Sequence, residues 1–271
     1  NDILPEHNEG MRVVPQILTN RAEDFIRTAE KLREFGYQEV NLNLGCPSGT
    51  VVAGGRGAGM LADVEKLDCF LDQIFRDTDL RISVKTRIGI ERPEEGYMLM
   101  KIYNQYPVSE VIIHPRTRKE YYKGEPHLDV FSELLAMSKH PVCYNGNLFS
   151  VEDYKRISSR FPGTDCFMYG RGLITNPGLV NAIREGRQPG KDTLRQFHGC
   201  LYEEYQQLLS GERNVLFRMK ELWSYMAVGF TNYEKYAKKI KKSQHLSEYE
   251  AAVSSLFAQQ ELVWNIEEHN V

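Results

Sequence analysis

Long hydrophobic runs are missing from this 271-residue chain. No stretch of about 18 apolar residues occurs, so no membrane-spanning helix is expected. Cysteine is sparse: the five residues stand at 46, 69, 143, 166 and 200. Their number is odd and no pair has C-x-x-C spacing. Neither a disulfide framework nor a zinc site is expected, and a reducing cytoplasm is the simple inference. An excess of one charge is also absent. Net charge is -3 with pI about 6.2, so the molecule is not a polycation and any nucleic-acid footprint must be local. The dinucleotide fingerprint G-x-G-x-x-G is lacking, because "GGRGAG" puts Arg56 where the second glycine belongs. No Walker loop and no signal-peptide pattern occur, and the first residue is Asn1 rather than Met.

The chain is 41% hydrophobic and 26% charged, enough to bury a core. Strand-like runs are predicted near Arg12–Leu18, Glu39–Leu44, Arg81–Thr86, Glu110–His114, Pro141–Asn145 and Asp165–Tyr169. Helical patterns lie between them. In "RAEDFIRTAEKLREFG", Ala22, Phe25, Ile26, Ala29 and Leu32 share one face, with Asn20 as the expected start cap and Gly36 as the stop. Strands alternating with helices imply βα units and a parallel sheet. An open doubly wound sheet should have near-continuous apolar strands. Here Asn41 and Asn43, and Arg81, Ser83 and Lys85, give two strands a polar face. A barrel interior with a ligand at its mouth accommodates that face, so a (β/α)8 barrel is expected. After Lys191 strand signals stop. The expected division is a barrel over 1–190 and an all-helical part over 191–271, separated at Gly186–Gly190.

In such a barrel the site lies at the C-terminal strand ends. Those ends read Gln16, Asn43 with Cys46, Lys85 with Arg87, His114 with Arg116, Asn145 and Gly170-Arg171. Each has a bland alternative. A lone cysteine is usually a small core residue, Lys85 could be half of a buried ion pair, and Asn145-Gly146-Asn147 could be only a turn. Cys69, Cys143 and Cys166 are read as core. Taken together, the set suits flavin mononucleotide (FMN). Glycines in "YNGN" and "YGRG" let backbone N–H groups approach a phosphate, and Arg171 supplies a charged clamp. Lys85 would stabilise a reduced, anionic ring, with Gln16 and Asn43 at its amide-like edge.

The motifs "VVPQIL", "VNLNLGCPS", "GGRGAGML", "SVKTRIG", "IIHPRTRKEYYKG", "VCYNGN" and "FMYGRG" resemble those of the tRNA-dihydrouridine synthase family in order and spacing. The resemblance implies that Gln16, Lys85, His114, Asn145, Gly146, Asn147, Gly170 and Arg171 contact the flavin. It makes Cys46 the catalytic acid, and places Asn43 and Arg116 against substrate. It implies FMN reduced by NADPH or NADH, a tRNA partner, no metal and a cytoplasmic monomer. Family members begin with two further barrel strands, so residues preceding Asn1 are expected. Uracil reduction needs hydride at carbon 6 and a proton at carbon 5. A thiol on a mobile loop opposite the flavin can give that proton.

Two other readings compete: a flavin reductase of small molecules, and a non-catalytic RNA-binding remnant. The tail bears on both. Residues 213–242 hold eight basic side chains (Arg213, Arg218, Lys220, Lys235, Lys238, Lys239, Lys241, Lys242) against Glu221 and Glu234. Read blandly, they form a solvated helix face. Beside Trp223, Tyr225 and Tyr233, which can stack or pack, they equally read as a phosphate-binding stripe.

Overall fold

A computed structural model of the chain describes residues 2–264, so the last residues of the helical part expected over 191–271 lie outside the described residues. The chain forms two compact units, one of Asn1–Gly146 with Phe161–Met168, the other of Asn147–Arg160 with Tyr169–Val271.

The first unit is an α/β layer. Its six strands are β1 (Gln16–Ile17), β2 (Glu39–Leu44), β3 (Arg81–Arg87), β4 (Val111–His114), β5 (Val142–Asn145) and β6 (Cys166–Met168). All neighbours pair parallel and lie in chain order, the arrangement of successive βα units in a (β/α)8 barrel. Each predicted strand is present. The first is much shorter than its pattern, because only Gln16 and Ile17 pair, with Asn41 and Leu42.

Side chains alternate across a strand. One face is therefore apolar: Val40, Leu42 and Leu44, Ile82 and Val84, Val111 and Ile113, and Val142 with Tyr144 are all buried. Helices supply the opposing stripes. Ala22–Glu34 buries Ala22, Phe25, Ala29 and Leu32, and Val64–Arg76 buries Leu67, Phe70, Leu71 and Ile74. Phe25 and Phe70 meet edge to face at 6.2 Å. Each buried Leu or Phe contributes about 1.5–3 kcal/mol. The cap expectation for Ala22–Glu34 is half met. Gly36 takes φ +90 just past the end, but Asn20 donates to the Gly54 carbonyl instead of capping the start.

The second unit is helical. Its longer helices are Val151–Arg160, Lys191–Leu208, Glu212–Met226, Glu234–Lys242 and Leu246–Gln259. Its core gathers Leu194, Leu216, Met219, Trp223, Phe230, Tyr236, Tyr249, Leu256 and Phe257. The Trp223 indole donates to the Tyr249 hydroxyl at 2.8 Å, and His198 Nε2 lies 2.6 Å from the same oxygen. Burial holds His198 down to about 4, so its imidazole is neutral in this core.

Candidate active site

The sheet face opposite the apolar one is where the predicted residues gather. Register rows across it run Asn41–Ser83 and Asn43–Lys85–Ile112–Cys143–Cys166, with Arg87 beside His114 one step further. Polar side chains on that face pair with each other. Gln16 donates to Asn41 at 2.8 Å, Asn41 donates to Ser83 at 3.0 Å, and Asn43 donates to Gln16 at 2.7 Å. A buried amide left unpaired would be costly, so this ladder fixes the orientation of each amide.

Asn43 does more than sit beside a ring. Its side-chain oxygen accepts from the Gly45 and Cys46 amides, both at 3.0 Å. The Cys46 carbonyl in turn accepts from Ala58 at 3.1 Å. Gly57, at φ +56, passes so close that a Cβ there would come within 2.9 Å of that carbonyl. The backbone of half-buried Cys46 is therefore held at both its N–H and its C=O, and the glycine in "GGRGAG" serves this close approach.

Lys85 is largely buried, and among the described residues it has neither a carboxylate nor a hydrogen-bond acceptor as partner. Burial, then the Arg87 guanidinium, bring its ammonium down to about 8, while Cys143 and Cys46 act in the opposite sense. A cation so placed lacks an anionic counterpart among the described residues. It therefore fits a flavin that becomes electron-rich on reduction. The ion-pair alternative for Lys85 finds no partner here.

Arg87, a strand-end residue with no role assigned from sequence, links two loops. It donates to the Gly45 carbonyl and to the Thr117 carbonyl, both at 2.9 Å, and lies over the Tyr122 ring at 5.3 Å. His114 stacks on Tyr122 at 6.0 Å. Arg116 is fully buried, with one guanidinium nitrogen 3.1 Å from His114 Nε2 and another donating to the Gly124 carbonyl. Glu120 accepts from the Thr117 amide at 2.6 Å and lies 2.7 Å from His127, which braces the same loop. Thr117 and Glu120 lie inside the motif "IIHPRTRKEYYKG" without an assigned role, and His127 lies just beyond it; that the three meet depends on how the loop folds.

Asn145 donates to the Met168 carbonyl at 2.9 Å. A Cβ on Gly146 would meet the Tyr144 hydroxyl at 3.3 Å and His114 at 3.5 Å. The first unit thus brings together Gln16, Asn43, Cys46, Lys85, His114, Arg116, Asn145 and Gly146. Asn147, Gly170 and Arg171 fall in the second unit. There Asn147 takes φ 42, Gly170 precedes the short helix Arg171–Thr175, and Arg171 lies over the Phe149 ring at 5.1 Å.

Two readings need correction. Cys69 and Cys166 are exposed rather than core, and only Cys143 of the three is buried. Cys69 points away from the buried stripe of its helix, and Cys166 lies on the last paired strand, on the polar face. Trp223 is 1% exposed and packs in the helical core, so it offers no stacking surface. The lysines differ. On Glu234–Lys242, Tyr236 and Ile240 turn inward while Lys235, Lys238, Lys239, Lys241 and Lys242 are exposed. Among the described residues none of these five has a carboxylate partner. No helix among the described residues is long and apolar enough to cross a membrane.

Comparison with known proteins places these residues in context. A tRNA-dihydrouridine(16) synthase of Aquipseudomonas alcaligenes is 28% identical over 177 residues, covering 64% of this chain and 56% of that protein. The enzyme of the same name from Pseudomonas putida is 29% identical, covering 68% of this chain and 60% of its own length. A probable tRNA-dihydrouridine synthase of Rickettsia prowazekii is 30% identical over 62% of this chain and 52% of that protein. The chain thus spans little more than half the length of these relatives. A solved morphinone reductase in complex with tetrahydroNAD is similar at 18% identity and a TM-score of 0.42, over 64% of this chain and 51% of that one. The family described as dihydrouridine synthase matches residues 1–268, and the chain belongs to that family.

Proposed function

We propose that this chain takes part in reducing uridine in tRNA to 5,6-dihydrouridine, with FMN as cofactor and NADPH or NADH as reductant. The observation that carries the reading is Lys85, a buried ammonium without an anionic partner, one register step from the strand end that bears Cys46. When bound, the flavin supplies hydride to carbon 6 of the uracil. Lys85 offsets the negative charge that reduction places on the ring, and Gln16 and Asn43 present amides to its polar edge. Cys46 holds its proton on Sγ and delivers it to carbon 5. His114, Asn145 and Gly146 border the cofactor. The flavin roles of Asn147, Gly170 and Arg171 rest on the family resemblance. Arg116 acts on the substrate side through His114 and the loop it holds. The exposed lysines of Glu234–Lys242 bind tRNA phosphates, and residues 191–271 act as the tRNA-binding part, following a catalytic part over 1–190.

Several relatives carry the number 16 in their names, so uridine 16 is the first candidate substrate position. Mass spectrometry of tRNA from a strain lacking the gene tests this. Loss of the two added hydrogens at one uridine, restored by the intact gene and not by a Cys46→Ala copy, is the expected result. Unchanged tRNA would remove the proposal. Flavin-coloured protein acting on free pyrimidines would favour the small-molecule reductase.

A further inference from the structure

One side-chain cluster on the same sheet face as Lys85 has no role assigned above. Glu110 just precedes β4, Cys143 is central on β5, and Cys166 opens β6. Cys143 and Cys166 are register partners on adjacent parallel strands. Glu110 and Ile112 share a face, and Ile112 is the partner of Cys143. The ligand atoms of all three residues lie within 4.8 Å of one another. The Cys143 thiol donates to the Tyr144 carbonyl at 3.8 Å, so no other side chain claims its proton.

We infer that Glu110, Cys143 and Cys166 form a three-ligand site for a thiophilic divalent cation, Zn2+ being the natural occupant. Two thiolates and a carboxylate are a borderline-soft donor set, and three protein ligands with one open position is a recognised zinc arrangement. With Zn–S about 2.3 Å and Zn–O about 2.0 Å, tetrahedral ligand atoms sit about 3.5–3.8 Å apart. The cluster must therefore contract by about an ångström, within the reach of side-chain rotation. Binding breaks two S–H bonds and forms two S–Zn bonds and one O–Zn bond. Both protons go to solvent, and water takes the fourth position. The complex carries one negative charge. The Arg12 guanidinium, whose charge acts on Cys166, offsets part of it. C-x-x-C spacing could not reveal this site, because its ligands come from two strands and the residue just before a third.

The test uses the full chain, purified with a chelator and kept reduced, then titrated with Zn2+ and with Co2+ as a coloured substitute. The expected result is one ion per chain with an apparent Kd tighter than about 1 μM. Co2+ should show thiolate-to-metal absorption in the near ultraviolet, with about two protons released per ion at neutral pH. Cys143→Ser and Cys166→Ser should each weaken binding by on the order of a hundredfold, and Glu110→Gln less, while Cys200→Ser leaves it unchanged. Because Cys143 is buried and its variant can misfold, a second measurement uses the unaltered protein: Zn2+ should shield exposed Cys166 from alkylation, and not the equally exposed Cys69 and Cys200. Absence of saturable binding, persistence of the cobalt spectrum in the Cys143→Ser/Cys166→Ser protein, or equal alkylation of Cys166 with and without Zn2+ would overturn the site.

Discussion

The side-chain oxygen of Asn43 lies 3.0 Å from the backbone nitrogen of Cys46 and accepts its hydrogen bond. The residue that was expected to face substrate is therefore also the one that sets where the thiol stands. Removing it leaves the Gly45 and Cys46 amides unpaired, a cost of about 1–3 kcal/mol for each buried donor. Asn43→Ala is expected to lower dihydrouridine formation about 10- to 100-fold while NADPH oxidation falls less. Asn43→Asp keeps the acceptor and should recover part of the loss. Equal activities for the two variants in a single-turnover assay would show that the bond to Cys46 is irrelevant.

Cys46→Ala removes the proposed proton donor and none of the proposed cofactor contacts. Flavin content and flavin reduction by NADPH should stay near the unaltered values. Uridine reduction should drop by about 100- to 10,000-fold, the usual range for a positioned general acid. Dihydrouridine yield measured by mass spectrometry decides it, and a near-normal yield would take the role away from this thiol.

Lys85 makes stability depend on pH in the flavin-free protein. The folded chain releases this proton near pH 8, whereas the unfolded chain keeps it to about 10.5. Between those values the unfolded state binds more protons, so stability rises with pH across the window and the full penalty applies below it. Denaturant midpoints measured from pH 7.5 to 10.5 should climb relative to Lys85→Met, in which this contribution is absent. Parallel curves for the two proteins would contradict the buried, partnerless ammonium.

The lysine stripe on Glu234–Lys242 is expected to bind phosphate without touching the chemistry. Replacing Lys238, Lys239, Lys241 and Lys242 with Ala should weaken tRNA affinity and make the slope of log affinity against log salt shallower by about one unit per lost contact. NADPH oxidation should not change. Identical slopes would return the stripe to the bland reading and move the search for tRNA contacts to Arg118, Lys119 and Lys123.

Much of the fold is legible in the sequence because a two-residue period and a helical period report which side each residue buries. β2 matches its predicted bounds, and β3 to β6 come within a residue at each end. The first strand does not, since ahead of Gln16 the neighbouring strand reaches only the Pro15 carbonyl, which accepts from the Asn41 amide at 2.8 Å, and pairing is a non-local property. For the same reason Asn20 reads as a cap although its amide is taken by Gly54, far along the chain. Strand ends point to the candidate residues, yet not to their partners. Arg87 joining Gly45 to Thr117, and Cys143 facing Cys166, depend on register between strands that a single-chain pattern does not encode.

Glu234–Lys242 keeps its anchors and most of its charges on different sides: Tyr236 and Ile240 turn inward, Lys238, Lys239, Lys241 and Lys242 are exposed, and Lys235 lies over the Tyr236 ring at 4.7 Å. Substitutions at those four exposed positions leave the anchoring pair untouched. On the proposed reading, grip on a polyanion can thus drift in small increments across generations, residue by residue, without putting the architecture at risk. A lineage carrying this helix would then adjust how long it lingers on each RNA while the strand ends of the parallel sheet stay as inherited.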